Sequence, residues 1–287
     1  MTRRLLLVPF TLLAPHLGAS DIVAQATPPS ARDAFLEGAA EAAVKYSDRR
    51  EAIADGFRRL GPDFPGMGAH WVQTGRIVSG VLEGGRPAVL CYAELNGEPT
   101  LVALAYTLPL SPDESPPEEP LGAHAWHDHS GEVTEESFLL NHPSSLMASD
   151  AGFRLSMVHV WLPLSNPSGI LEQNNWRLPF LRAGIEPPEL PTSLAARGLS
   201  LGGGGIGYYR ELLYWASPES AADRAAIDRA LERSAASVGA WIERRRGDPD
   251  AATLEDLEGI WQAFWQELEG SLSTDVYQRI HPLRNGH

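Results

Sequence analysis

Hydrophobic positions change period along this chain. The spacing is helical near the start, alternating in the middle and helical again at the end. Between Ala31 and Leu60, the residues Phe35, Ala39, Ala42, Ala43, Tyr46, Ile53 and Phe57 recur at helix-like intervals. Ser47-Asp48 interrupts this run and caps a second helix, predicted from Arg49 to Leu60. Gly61-Pro62-Asp63-Phe64-Pro65-Gly66 then breaks that helix.

Residues 70–162 read as strands. The first is predicted over His70 to Val78. Pro87 to Leu95 and Thr100 to Leu108 flank Asn96-Gly97, the strongest short hairpin signal. Ser111 to Pro120 is rich in proline and acid and reads as an exposed loop. Phe153 to Leu162 alternates most clearly, with Phe153, Leu155, Met157, His159 and Trp161 on one face. Asn166-Pro167-Ser168-Gly169 is a turn. The Pro- and Gly-rich stretch from Pro187 to Gly207 reads as a linker or long loop, with Gly202 to Gly205 a flexible hinge.

Helical spacing returns after it. Ser217-Pro218 offers an N-cap and a first-turn proline, and Gly247 closes that helix. Thr253 opens the next, whose stripe is Leu257, Ile260, Trp261, Phe264, Trp265, Leu268 and Leu272. The fold class is therefore α+β: an antiparallel sheet packed with N-terminal and C-terminal helices. The division along the chain is 1–26 signal peptide, 27–190 α+β domain with a histidine site, and 191–287 linker and C-terminal helical region.

The first segment follows from Arg3-Arg4, a mostly apolar stretch from Leu5 to Leu17 too short to span a bilayer, and the small-x-small site Ala24-Gln25-Ala26. Cleavage is predicted after Ala26, which sends the mature chain to the periplasm or outside the cell. No stable membrane insertion is expected. With 37 acidic and 23 basic residues the chain repels phosphate backbones and suits a bound cation, so nucleic acid is excluded as a partner. Cys91 is the one cysteine, so no intrachain disulfide forms; its apolar neighbours mark it as a buried structural thiol and not a nucleophile.

Candidate chemistry lies in the histidines. His124, His127 and His129 fall within Gly-Ala-His-Ala-Trp-His-Asp-His-Ser-Gly. On a strand, His127 and His129 share a face and can chelate one cation; if 124–127 forms a turn, His124 and His127 become neighbours instead. His159 lies on an apolar strand face, where an imidazole needs a polar partner. Gly66 and Gly68 permit an unusual backbone path into His70. The proposed ligands are His70, His127, His129 and His159, and nitrogen ligation suits zinc or copper. His124, Trp71, Trp126, Trp161, Asn166 and Asn175 are candidate site lining. Three nitrogens would leave a position open for water or a small-molecule ligand, the mark of a metalloenzyme; four would make a structural or storage site. The spacing of Glu132 and Glu135 from the cluster does not fit a cupin, and no Gly-x-Ser-x-Gly elbow supports a serine hydrolase. The competing reading is a non-catalytic exported binding or scaffold module whose histidines and tryptophans are structural.

Several motifs occur together: Lys45-Tyr46-Ser47-Asp48, Ala54-Asp55-Gly56-Phe57, Gly66-Met67-Gly68-Ala69-His70-Trp71, and His159-Val160-Trp161 followed by Asn166-Pro167-Ser168-Gly169. Over about residues 31–185 this order resembles a group of uncharacterised exported bacterial proteins with Met-Gly-x-His-aromatic and His-Val-Trp…Asn-Pro-x-Gly motifs. The resemblance implies a domain assignment and points to His70, Trp71, His159, Trp161, Asn166 and Asn175. It implies no reaction.

Overall fold

A computed structural model describes residues 29–284 except 112, 130–153, 190–191, 204 and 217–219. The predicted signal peptide, Phe153, Glu132, Glu135 and the Ser217-Pro218 cap lie outside the described residues, as does the side chain of His129.

Ser30 starts helix α1 (Ala31–Tyr46): its hydroxyl accepts from the Asp33 amide at 3.1 Å, and the Asp33 carboxylate accepts from the Ser30 amide at 3.3 Å. Asp48 caps α2 (Arg49–Ala54), which stops short of its predicted end at Leu60. The chain turns at Gly56 and extends into strand β1 (Arg58–Phe64). Pro62, expected to break structure, instead falls at the irregularity between Leu60 and Asp63 in the pairing with β2 (Gly68–Val72). β1 is an edge strand, where a missing N–H costs no ladder bond. β2 also ends before the predicted Val78. Gln73 caps a one-turn helix, α3 (Thr74–Ile77), by accepting from the Arg76 amide at 2.7 Å.

Asn96 and Gly97 take positive φ of 54° and 81° and join β3 (Val89–Leu95) to β4 (Glu98–Leu110), as the hairpin signal predicts. A short 3-10 turn at Ala123–Ala125 leads into β5 (His127–His129), and β6 (Arg154–Val160) completes the sheet. The six strands run β1-β2-β3-β4-β6-β5, each antiparallel to its neighbours. An Arg154–Asp128 ion pair ties β6 to the edge strand β5.

Alternation divides the sheet's side chains between two faces. Leu90, Tyr92, Leu104, Tyr106, Val158 and Val160 pack on Phe35, Ala39 and Tyr46 of α1. Tyr92 donates to the Tyr46 carbonyl and Tyr106 to the Gly84 carbonyl, each at 2.6 Å, so the buried hydroxyls are satisfied. The opposite face carries Val89, Cys91, Ala103, Ala105, Met157 and Trp161 and meets Leu178 of α4 (Leu178–Arg182).

The C-terminal helices are α5 (Ser193–Ser200), α6 (Gly205–Ala216), α7 (Ala221–Gly247), α8 (Leu254–Ser271) and α9 (Thr274–Ile280). The stretch read as a linker therefore contains a helix, α5, capped by Thr192 and packed on α8. That packing is close because residue 198 is glycine: a Cβ there would overlap the Leu257 carbonyl oxygen. The stripe of α8 is buried as its spacing predicts, through Leu257, Trp261, Phe264, Trp265 and Leu268. Phe64 and Met67, from the β1–β2 corner, belong to the same core as Leu199, Tyr208 and Trp265, so sheet and helices share one interior at that corner. Among the described residues no helix is long and apolar enough to cross a membrane.

Two glycines on helices should respond oppositely to alanine. Gly198→Ala forces α5 away from α8 and is expected to cost ~2 kcal/mol or more by urea denaturation. Gly239→Ala, with nothing near its added carbon, is expected to stabilise by ~0.5–1 kcal/mol.

Candidate metal centre

Register places the site. His70 pairs with Cys91, and Cys91 with Ala103. One step along β4, Ala105 pairs with His159. These residues point to one face, the face turned from α1. Adjacent strands lie ~4.8 Å apart, so the backbones of β2 and β6 are about 14 Å apart. Two imidazoles close most of that gap because the strand between Cys91 and His159 offers only the methyls of Ala103 and Ala105. The His70 and His159 ring centroids are 5.8 Å apart. One atom from each of His70, Cys91 and His159 lies within 4.8 Å of the others, and the three residues are 1%, 0% and 1% exposed.

Local structure fixes each ligand. Gly68, at φ +86°, lies where a Cβ would stand 2.5 Å from the Tyr92 carbonyl oxygen, so glycine is what lets β2 approach β3 and set His70 opposite Cys91. Phe64 packs edge-on against the His70 ring at 4.8 Å, with Tyr208 of α6 at 5.2 Å behind it. A bulge lies beside Cys91, where Tyr92 pairs with Leu101 and leaves Val102 as the extra residue. Trp161 lies 6.4 Å from the His159 ring. Its indole N–H donates to the Glu172 carbonyl at 2.5 Å, which anchors the loop after β6.

Burial pushes the Cys91 thiol well above its ordinary range, and the charge of Asp63 adds to the shift. Asp63 is held by Arg182 of α4 through two bonds, at 2.8 and 2.5 Å. The thiol is thus protonated at neutral pH and inert as a nucleophile, in keeping with its sequence context. A cation changes that balance, because a metal-bound thiol ionises outright.

The other predicted residues are distributed around this cluster. His127, opposite Met157 on β5, stacks on His159 with centroids 5.2 Å apart and planes within 5°. It stands beside the converging trio and is half-buried. His129 pairs with Leu155 through its backbone. His124 is exposed in the 3-10 turn. Trp71 follows His70 and so faces the other way, packing on Tyr92 at 5.9 Å; Trp126 also joins the α1 side. Asn166 and Asn175 direct their amides at backbone: Asn166 donates to Asn174 at 2.9 Å, and Asn175 to Ser165 at 3.2 Å. The Asn175 backbone N–H also donates to the Gly66 carbonyl at 2.9 Å, so this loop braces the turn that leads to His70.

Cys91 is the residue that the sequence reading assigned to structure alone. Its alternation with Leu90 and Tyr92 is legible, but its pairing with His70 depends on a long connection from residue 73 to 88 that holds a helix turn. Comparison with protein families, with curated proteins and with solved structures finds no match for this chain.

The buried thiol generates a direct test. Cys91 in the folded, metal-free chain is expected not to react with an aromatic disulfide reagent at about pH 8, and to react fully once the chain is unfolded. Rapid labelling of folded protein would contradict the enclosure described above.

Proposed function

We propose that this chain is an exported metal-binding protein in which His70, Cys91 and His159 hold a single zinc or copper ion. The observation that carries this reading is the convergence of two imidazoles and one thiol, from three strands, at the same buried point. Mixed nitrogen and sulfur ligation suits both ions. A tetrahedral ion with bonds of ~2.0–2.3 Å spaces its ligand atoms about 3.5 Å apart. Side-chain rotation must therefore shorten the cluster by roughly an ångström.

Enclosure favours holding an ion over turning over a substrate. Phe64 and Trp161 set aromatic rings against the imidazoles, Tyr208 backs Phe64, and each ligand is 1% exposed or less. Within that setting the protein's residues have distinct tasks. The imidazoles supply neutral nitrogens, Cys91 releases its proton and supplies a charged sulfur, and Asp63 adds negative potential beside the thiol. Export is supported by the amino-terminal sequence pattern and by the resemblance to exported bacterial proteins noted above.

A second reading has its own support: the edge-on Phe64–His70 contact and the His127–His159 stack are arrangements found in ordinary aromatic cores. In that scaffold reading His70→Ala and His159→Ala lower stability and leave metal content unchanged.

Metal analysis separates the two. Protein purified without a histidine tag is expected to carry about one zinc or copper per chain, and Cys91→Ser or His159→Ala to lose most of it. Less than ~0.2 ion per chain after growth with both metals overturns the proposal. A chelator should lower the melting temperature of the loaded protein, because an ion bound to the native state stabilises it.

The affinity should also depend on pH with a definite sign. Burial keeps Cys91 protonated in the metal-free chain, so binding displaces one proton. Apparent affinity is expected to rise about tenfold per pH unit from the thiol alone through neutral pH. Competition titrations at several pH values check this, and a flat profile would remove Cys91 from the ligand set.

A further inference from the structure

The trio is enclosed, so an ion needs a way in. Three described rings lie against His159: His70, Trp161 and His127. His70 and Trp161 are 1% and 2% exposed, whereas His127 is half-buried. It sits on β5, one of the two edge strands of the described sheet, with its Nε2 enclosed and its ring parallel to that of His159. On the far side of the cluster Phe64 packs on His70 and is itself backed by Tyr208. Three residues before His127, His124 is exposed to solvent.

We infer that His127 is the loading residue of the metal centre: it takes a divalent cation from solvent and passes it to His159. This rests on the metal-binding reading proposed above. The step is a ligand exchange without oxidation or reduction. Because Nε2 of His127 is enclosed, the ring turns outward for a nitrogen to bind the hydrated ion and displace one of its waters. His159 displaces His127 on the same ion, and His70 and Cys91 complete the set as the Cys91 thiol gives its proton to solvent. The two rings are close neighbours, with centroids 5.2 Å apart, and each must turn out of the stack to aim an in-plane nitrogen at a shared ion. The Arg154–Asp128 ion pair holds β5 in register while the ring moves. His127 thus sets the rate of filling, and His70, Cys91 and His159 set the affinity.

The test uses the full metal-free chain and cobalt(II), whose thiolate charge-transfer absorption reports capture by Cys91. In His127→Phe the aromatic stack on His159 is kept and the nitrogen is lost. The expected result is uptake slowed about tenfold or more, release to a chelator slowed by the same factor, and an unchanged end point and dissociation constant. Should that variant fold poorly, His127→Gln gives the same comparison with a polar side chain. Uptake at the wild-type rate overturns the inference. So does a reduced end point, which would make His127 a ligand of the finished site. If the wild-type chain shows no thiolate absorption with cobalt(II), the metal reading itself fails and this one with it. Normal wild-type binding with an unaffected variant rejects the loading role alone.

Discussion

Ala103 and Ala105 occupy the strand between Cys91 and His159, and their small side chains let two imidazoles and a thiol meet above the sheet. A leucine or valine at either position would stand in the gap and fill the face with hydrocarbon, as Leu104 and Tyr106 do on the other side. Everything else in the site serves this lane. Gly68 brings β2 close enough to β3, the bulge at Val102 falls beside Cys91, and the antiparallel pairing of β4 with β6 sets His159 one step from the Cys91 row.

The polar trio is set in an apolar enclosure, and that contrast shapes its chemistry. Burial alone raises the thiol, and the nearby Asp63 carboxylate raises it further. The same carboxylate favours a cation. Its own charge is held in place by the two-pronged contact with Arg182, which comes from the helix following the loop that Asn175 braces. The turn between β1 and β2, the loop after β6 and α4 are therefore tied together, although they are distant in sequence.

Much of the architecture was readable from pattern alone. Capping residues and helical spacing located α1, the closing residue of α7 and the buried stripe of α8. Asn96-Gly97 located the hairpin, and alternation placed Leu155, Met157, His159 and Trp161 on one face. Strand β1 was not readable, because its Gly61-Pro62 resembles a break and only an edge position makes that proline harmless. Helix α5 was hidden by its shortness and by the Pro- and Gly-rich residues around it. At the cluster, His70 and His159 were candidates from residue type. The inclusion of Cys91 was not, because a thiol among apolar residues looks the same in sequence whether it faces hydrocarbon or two imidazoles. Trp71 and Trp126 show the converse: neighbours in sequence to histidines, they lie on the opposite side of the sheet, as a period of two requires for Trp71.

The β1–β2 corner has a bearing on how the molecule assembles. Phe64, which covers His70, is itself covered by Tyr208 and shares a core with Trp265 and Ile280. The lid over an early strand is thus supplied by the last helices of the chain. During synthesis the sheet emerges first with that face uncovered, and its rings become enclosed only when the carboxyl-terminal segment arrives. Contacts between such distant parts of a chain form late and slow the approach to the native state. The order of assembly therefore leaves an interval in which His70, Cys91 and His159 are open to solvent, an interval that closes when the final helices dock.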